Sequence, residues 1–194
     1  IPMFVIIGLW GGERRIYATL KFFLYTAFGS ILMLAALIYL VLYTHGSSGY
    51  MTFDLRHLSG SQLPLNTQLW LLSAFALSFA IKVPMFPLHT WLPDAHVEAP
   101  TTGSVILAGV LLKMGTYGFM KLGFPLFPEA ARAMMPVIMT LAVISIVYGA
   151  CLALVQTDIK KIIAYSSISH LGYVMLGLAS LDLIGIQGAV IQMV

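Results

Sequence analysis

Two lysines and a histidine, Lys82, Lys113 and His170, stand inside long apolar stretches of this chain, where charged side chains are rare. Placing a lysine at the centre of a bilayer costs about 2.5–3.5 kcal/mol, so each lysine needs a reason to be there. Loss of water favours the neutral amine, whereas a nearby carboxylate or a helix carboxyl end favours the charged form. A lysine balanced in this way can take up and release a proton near neutral pH. These three residues are therefore candidates for a proton relay.

The depth of the three side chains supports this interpretation. Counted from the ends of their apolar runs, Lys82 lies about 10 Å, Lys113 about 18 Å and His170 about 12 Å inside, at 1.5 Å per residue. In a hydrocarbon core of about 30 Å, all three fall at inner or middle depth. They would form one polar layer if their helices face one another. The structural alternatives are snorkelling or a buried ion pair for the lysines, and helix packing for His170.

The residues after Lys82 predict a broken helix. Pro84 and Pro87 forbid regular continuation of a helix, because each lacks a backbone N–H and clashes with the preceding turn. We therefore expect Lys82 to stand beside a break whose unpaired carbonyls carry partial negative charge. Transporters place their ion sites at such breaks near the middle of the membrane.

Hydroxyl groups cluster before His170, at Ser166, Ser167 and Ser169. They could extend a polar path to the histidine. Small polar residues in membrane helices also serve close helix packing, and this alternative stays open for the serines.

Four further side chains, those of His89, Asp94, His96 and Glu98, could be metal ligands by type. The prolines around them predict an irregular loop, and nothing in the spacing makes three or four ligands converge as a metal site requires. Hydrogen bonds within the loop are the favoured interpretation. In it, Asp94 and Glu98 hold the loop near the helix that starts at Thr101.

The composition decides the fold class. Hydrophobic residues make up 60% of the 194 residues and charged residues 9%, against about a quarter charged in soluble domains. A chain in lipid must satisfy its backbone internally, as helices or as a closed barrel. Barrel strands alternate apolar and polar residues, whereas the apolar runs here are continuous. We predict a single all-α, polytopic transmembrane bundle with five complete spans and two partial helices, at 17–44, 66–89, 101–122, 133–155 and 162–180, and at 1–10 and 183–194.

Several other functions are disfavoured by the sequence. The net charge is +3 without a basic cluster that interleaves aromatic residues, so no nucleic-acid partner is expected. The single cysteine, Cys151, cannot form an internal disulfide and is interpreted as small core filler. Without a cysteine cluster, a haem-binding histidine pair or a GxGxxG motif, no redox centre and no cofactor are expected in this chain. Asp158 or Thr157, and Asp182, are predicted N-caps of the last two helices.

Three stretches resemble the signatures of the antiporter-like subunits of respiratory complex I, and among these the subunit M (subunit 4) group. The resemblance extends over essentially the whole chain. The stretches are KVPMFPLHTWLPDAHVEAP at 82–100, the glycine-rich run around Lys113 from Gly103 to Gly118, and QTDIKKIIAYSS at 156–167 with the following Ser169 and His170.

This resemblance implies a fragment of a larger bundle of inverted repeats. Lys82 on the broken helix would accept a proton, Lys113 would pass protons along the central axis, and His170 would be a further station. Two more groups of the family, a glutamate and an exit lysine, would fall before Ile1 and beyond Val194. The expected partners are protons, the lipid bilayer and other membrane-arm subunits of complex I. Electrons would pass through those other subunits, and the expected location is a bacterial inner, mitochondrial inner or thylakoid membrane.

Two alternatives remain at this point. Subunits of multi-subunit Mrp-type cation/proton antiporters share these motifs. The second alternative is a structural function and not transport: a passive membrane scaffold, in which the lysines only brace helices. The cost of two intramembrane lysines weighs against it.

Overall fold

The structure, a computed structural model, describes residues 2–49, 51–60 and 63–194. Within these ranges the chain forms nine helices and no strand, and the predicted all-α membrane fold is confirmed. The helices are α1 Pro2–Trp10, α2 Arg15–Ser48, α3 Leu55–Ser59, α4 Leu65–Lys82, α5 Trp91–Glu98, α6 Thr101–Leu126, α7 Pro128–Val155, α8 Ile159–Ala179 and α9 Leu183–Met193.

Four of the described helices, α2, α6, α7 and α8, are long and apolar enough to cross a membrane. The predicted span at 66–89 is not among them: its helix α4 ends at Lys82 after 18 residues, and those residues include the polar side chains of Asn66, Gln68 and Lys82. Other bounds also differ from the predicted ones. Helix α2 has 34 residues and continues to Ser48, and α6 continues past 122 to Leu126 because π-helical turns carry it through Lys121 and Gly123.

Helix α8 lies along α7 at a distance that small residues allow. A Cβ at Gly149 of α7 would come within 2.9 Å of the backbone nitrogen of Ser169. A Cβ at Gly172 of α8 would lie 3.0 Å from the carbonyl oxygen of Ala142. The Ser169 hydroxyl donates to the carbonyl of Ile146, 3.0 Å away, across the same contact. Small residues that let backbones approach are the usual basis of helix association in membranes, so Ser169 serves packing.

The predicted helix caps are confirmed in part. The Asp158 carboxylate accepts a hydrogen bond of 2.8 Å from the Lys160 backbone N–H and caps α8. Asp182 occupies the N-cap position of α9, but its side chain makes no capping hydrogen bond. Cys151 is exposed on α7, so its interpretation as core filler is wrong for the described chain. A membrane helix exposes apolar side chains outward, and an apolar neighbourhood in the sequence therefore does not imply burial.

The close approach of α7 and α8 predicts an asymmetry between two glycines. We expect Gly149→Ala to destabilise the protein by about 1–3 kcal/mol, because the new methyl group meets backbone atoms that cannot rotate away. The matched control is Gly46→Ala in α2, where a Cβ has no neighbour within 4 Å and gains about 0.5–1 kcal/mol of helix stability. Thermal unfolding of the purified membrane protein in detergent measures both. Equal thermal unfolding midpoints for the two variants would contradict the close packing of α7 against α8.

Candidate functional site

The candidate site begins where α4 ends. Lys82 is the last residue of α4, and the chain from Val83 to Thr90 is not helical before α5 begins at Trp91. The proline at 84 explains the end of the helix, since its missing N–H cannot continue the ladder. The Phe86–Pro87 peptide bond is cis. The predicted helix break beside Lys82 is therefore present.

Three carbonyls at the end of α4 are not free, contrary to the sequence-based expectation. The Val83 N–H donates to the Phe79 carbonyl at 2.8 Å, and the Met85 N–H donates to the Ala80 carbonyl at 3.0 Å. The buried indole N–H of Trp91 donates to the Ile81 carbonyl at 2.9 Å. The residues after the break fold back and supply these donors. The break is thus closed by its own downstream segment.

A second helix secures the break from the side. The hydroxyl of Ser145 on α7 accepts a hydrogen bond of 2.9 Å from the backbone N–H of Phe86 and donates to the carbonyl of Leu141. Ser145 is fully buried. Sequence analysis gave no signal for this residue, because a single serine in a membrane helix is unremarkable by composition.

Lys82 lines a cavity of about 540 Å³ between α1, α2, α4 and α6. The cavity wall is mostly apolar, and the hydroxyls of Thr26 and Ser30 are its polar groups beside the lysine. The Lys82 ammonium lies 6.0 Å from the centroid of the Phe79 ring. Within the described residues it has no carboxylate partner, so a structural ion pair does not account for it there.

Lys113 and His170 meet at a different cavity, of about 370 Å³, between α6, α8 and α9. Ser167 and Gln192 also line it. The Gln192 side-chain nitrogen and the Nδ1 atom of His170 lie 3.4 Å apart, so the amide can donate to the ring and leave the proton on Nε2. Gln192 was missed by sequence analysis, because its distance from His170 along the chain gives no sign of this contact.

Helix α6 separates the two cavities. Leu111 and Met114 line the Lys82 cavity, whereas Leu112 and Lys113 line the other. Helices α4 and α6 are nevertheless in contact, because a Cβ at Gly115 of α6 would lie 3.0 Å from the Cβ of Lys82 of α4. The predicted single polar layer is therefore two adjacent compartments within the described chain.

A π-helical turn at Leu107–Leu111 sets the face on which Lys113 emerges. Such a turn inserts one residue, which rotates everything after it by about 100° around the helix axis. The Leu112 N–H donates to the Leu107 carbonyl, five residues back. The turn ends two residues before Lys113, and π-turns are frequent at functional sites.

Two of the serines near His170 bond to their own helix. The hydroxyls of Ser166 and Ser167 both donate to the Ile163 carbonyl at 2.9 Å. Ser167 in addition lines the cavity with Lys113 and His170. Its hydroxyl oxygen can still accept a hydrogen bond there.

The predicted irregular loop at 91–100 is wrong, because Trp91–Glu98 is the helix α5. Pro93 is tolerated since it lies in the first turn, where backbone N–H groups have no intrahelical acceptor. Asp94 and Glu98 do not hold this segment to the helix at Thr101. The Asp94 carboxylate forms an ion pair of 2.7 Å with Lys21 of α2. The Glu98 carboxylate accepts a hydrogen bond of 3.0 Å from the backbone N–H of Arg14.

His89, which lies just before α5, and His96, which lies within it, are both buried. His89 packs against the rings of Phe86 and Tyr148, with centroids 5.9 and 5.2 Å away. His96 is 6% exposed, and its ring nitrogens have no hydrogen-bond partner among the described residues. The described side chains contain no group of three potential metal ligands.

A family model described as "NADH:quinone oxidoreductase/Mrp antiporter, TM" matches residues 1–194, the whole sequence. The chain belongs to this antiporter family. The resemblance of the three sequence signatures is confirmed by this match.

Relatives and solved structures of the antiporter family agree. NADH-quinone oxidoreductase subunit M of Rickettsia prowazekii is 54% identical over 195 residues, which cover 100% of this chain and 38% of that protein. Respiratory complex I from Thermus thermophilus with bound NADH contains a chain with a TM-score of 0.88 and 38% identity, covering 97% of this chain and 39% of that one. The Mrp complex from Dietzia sp. DQ12-45-1b gives a TM-score of 0.81 at 25% identity, covering 98% and 20%. The chain thus spans well under half the length of these proteins.

The role of Ser145 at the break predicts a specific loss of stability. Ser145→Ala leaves the Phe86 N–H without its acceptor, which costs about 1–3 kcal/mol for a buried donor. Thr140→Ala is the matched control, because the exposed Thr140 donates to the Pro136 carbonyl one turn back, as Ser145 donates to that of Leu141, but forms no described hydrogen bond with the break. Its effect should stay within about 0.5 kcal/mol. Chemical denaturation of the purified protein distinguishes the two, and an equal loss for both would show that Ser145 does not support the break.

Proposed function

We propose that this chain is part of a proton-translocating membrane-arm subunit of an NADH:quinone oxidoreductase, located in an energy-transducing membrane. The observation that carries the proposal is the position of Lys82, in an apolar cavity at a repaired helix break and without a carboxylate partner among the described residues. The family match and the 54% identity to a protein named subunit M support it.

Proton transfer would use Lys82, Lys113 and His170. Each can bind a proton reversibly, and the last two share one cavity with the hydroxyl of Ser167 and the amide of Gln192. Lys82 faces the neighbouring cavity, so a proton that passes from Lys82 to Lys113 must cross the α6 wall near Leu111 and Met114. A change in the position or charge of either lysine would control that crossing.

The chain itself would carry out no redox chemistry. In this proposal electron transfer to quinone takes place in other subunits of the complex and changes the charge balance along the membrane arm. The lysines respond by changing partners and protonation state. Other membrane-arm subunits are accordingly the proposed partners, and no cofactor of this chain is required.

A subunit of an Mrp-type cation/proton antiporter is the second candidate. It is favoured by the likeness to the Mrp complex, whose TM-score of 0.81 lies close to that of the complex I chain. In that case the same lysines would exchange protons against a cation, without coupling to NADH oxidation.

Charge removal at the two lysines tests the proposal in the assembled membrane complex. We expect Lys82→Met and Lys113→Met to lower NADH-driven proton translocation at least about tenfold, because methionine keeps the bulk but cannot bind a proton. Lys121→Met is the control, since Lys121 is an exposed lysine on the same helix as Lys113 and lines neither cavity. Acidification of inverted vesicles and NADH oxidation are recorded together.

Three outcomes are informative. Loss of translocation in an assembled complex supports the relay. Full activity of Lys113→Met would instead favour a passive scaffold. Unchanged NADH-driven translocation with loss of sodium/proton exchange in both lysine variants would transfer the assignment to the Mrp-type antiporter.

A further inference from the structure

We infer that Lys160 is a positioning residue that joins the helix carrying His170 to the segment following the Lys82 break. The inference rests on the proposed function, because it concerns the geometry of the same relay. It arises from contacts at the carboxyl end of α5, which is the helix that follows the break.

Every carbonyl at the end of α5 receives a donor, and most of these donors come from outside the helix. Pro100 has no N–H and ends the helix, so the last carbonyls lack their usual partners. The donors and their distances are Ala99 N to the Ala95 carbonyl at 3.0 Å, Ser104 Oγ to that of His96 at 3.3 Å, Gly12 N to that of Glu98 at 3.0 Å, and Lys160 Nζ to those of Val97 and Ala99 at 3.0 and 3.2 Å.

Four parts of the chain therefore meet at this helix end: α5 itself, α6, the turn between α1 and α2, and α8. Lys160 supplies two of the five hydrogen bonds and is the member from α8. Within the described ranges, the hydrogen bonds that α8 forms with α5 and with its C-cap residue Ala99 both come from Lys160. By contrast, α5 is tied to α2 through the Lys21–Asp94 ion pair, and its N-cap residue Thr90 forms a hydrogen bond of 2.9 Å with Tyr25.

The charge of Lys160 fits α5 and not its own helix. Lys160 lies in the first turn of α8, after the N-cap Asp158, where the helix dipole disfavours a cation. The carboxyl end of a helix favours a cation, and this is what the ammonium meets on α5. Stability of α8 alone gives no reason for a lysine here, whereas the contact with α5 does.

The contact fixes the distance between the two halves of the relay. Along α8, His170 lies ten residues or about 15 Å after Lys160. Along the chain, α5 is joined to Lys82 through the break that Trp91 closes. Release of Lys160 would let α8 shift against α5, and the cavity of Lys113 and His170 would move relative to Lys82.

The test uses three variants in the assembled membrane complex. Lys160→Met removes the two hydrogen bonds and the charge, and Lys160→Arg retains a cation with several donors. Lys161→Met removes an adjacent exposed lysine of the same helix turn, for which the described chain offers no hydrogen bond or ion pair. Amide hydrogen exchange of residues 91–100 and the number of protons translocated per NADH are measured for each.

We expect Lys160→Met to accelerate exchange in residues 95–99 about threefold or more, because loss of the bonds raises the population of the locally open state. The proton-to-NADH ratio should fall in parallel. Lys160→Arg should restore both quantities, and Lys161→Met should match the unmodified protein. Should Lys160→Met not assemble, Lys160→Gln, which is neutral and shorter, is compared by the same criteria.

Equal exchange in Lys160→Met and Lys161→Met would overturn the contact itself. Faster exchange with an unchanged proton ratio would overturn the positioning role, and so would failure of both neutral variants to assemble while Lys160→Arg assembles. Failure of the proposed function has a different signature, since Lys82→Met would then leave translocation intact whatever Lys160 does.

Discussion

Backbone polar groups inside an apolar medium need partners within the protein, because each unpaired group costs several kcal/mol. The interruption of α4 after Lys82 would expose such groups, and the structure is arranged around their repair. Backbone N–H groups of Val83 and Met85 and the indole of Trp91 return to three carbonyls of α4. Ser145 accepts the N–H of Phe86 from the opposite side. Lys82 can therefore stand beside a helix break without the instability that a break would otherwise cause.

Closure of the break also limits what its electrostatics can do. Carbonyls that already accept hydrogen bonds offer less negative potential to an ammonium group than free ones, so the break alone provides little stabilisation for a charged Lys82. Within the described chain its cavity is mainly apolar and contributes two hydroxyls. In the relay that we propose, this apolar surrounding would let a small change in nearby charge shift the protonation of Lys82.

The sequence predicted the helical class and the break, and it singled out Lys82, Lys113 and His170 as candidates, because lysines and prolines in apolar runs are visible without a structure. It did not predict the two compartments. Depth along a helix follows from counting residues, but the face on which a side chain emerges depends on helix rotation, and the π-turn at Leu107–Leu111 changes that rotation. Contacts between distant segments, such as those of Gln192 and Ser145, have no local signal either. The sequence does not reveal the helix at 91–98, because a proline disfavours a helix except in its first turn, which is where Pro93 lies.

Two lysines outside the proposed relay, Lys21 and Lys160, share a feature that sequence patterns do not reveal. Lys21 and Lys160 are on different helices, yet both contact α5, one through Asp94 and the other through backbone carbonyls at its end. Both lie near the ends of long apolar helices, where they would ordinarily be assigned to the membrane surface. Their contacts give them a second role, because α5 has only eight residues and too few internal hydrogen bonds to fix its own position. A short helix that must hold the far side of a break in register with a second polar cavity has to be fixed by its neighbours, and cations from two helices do so here.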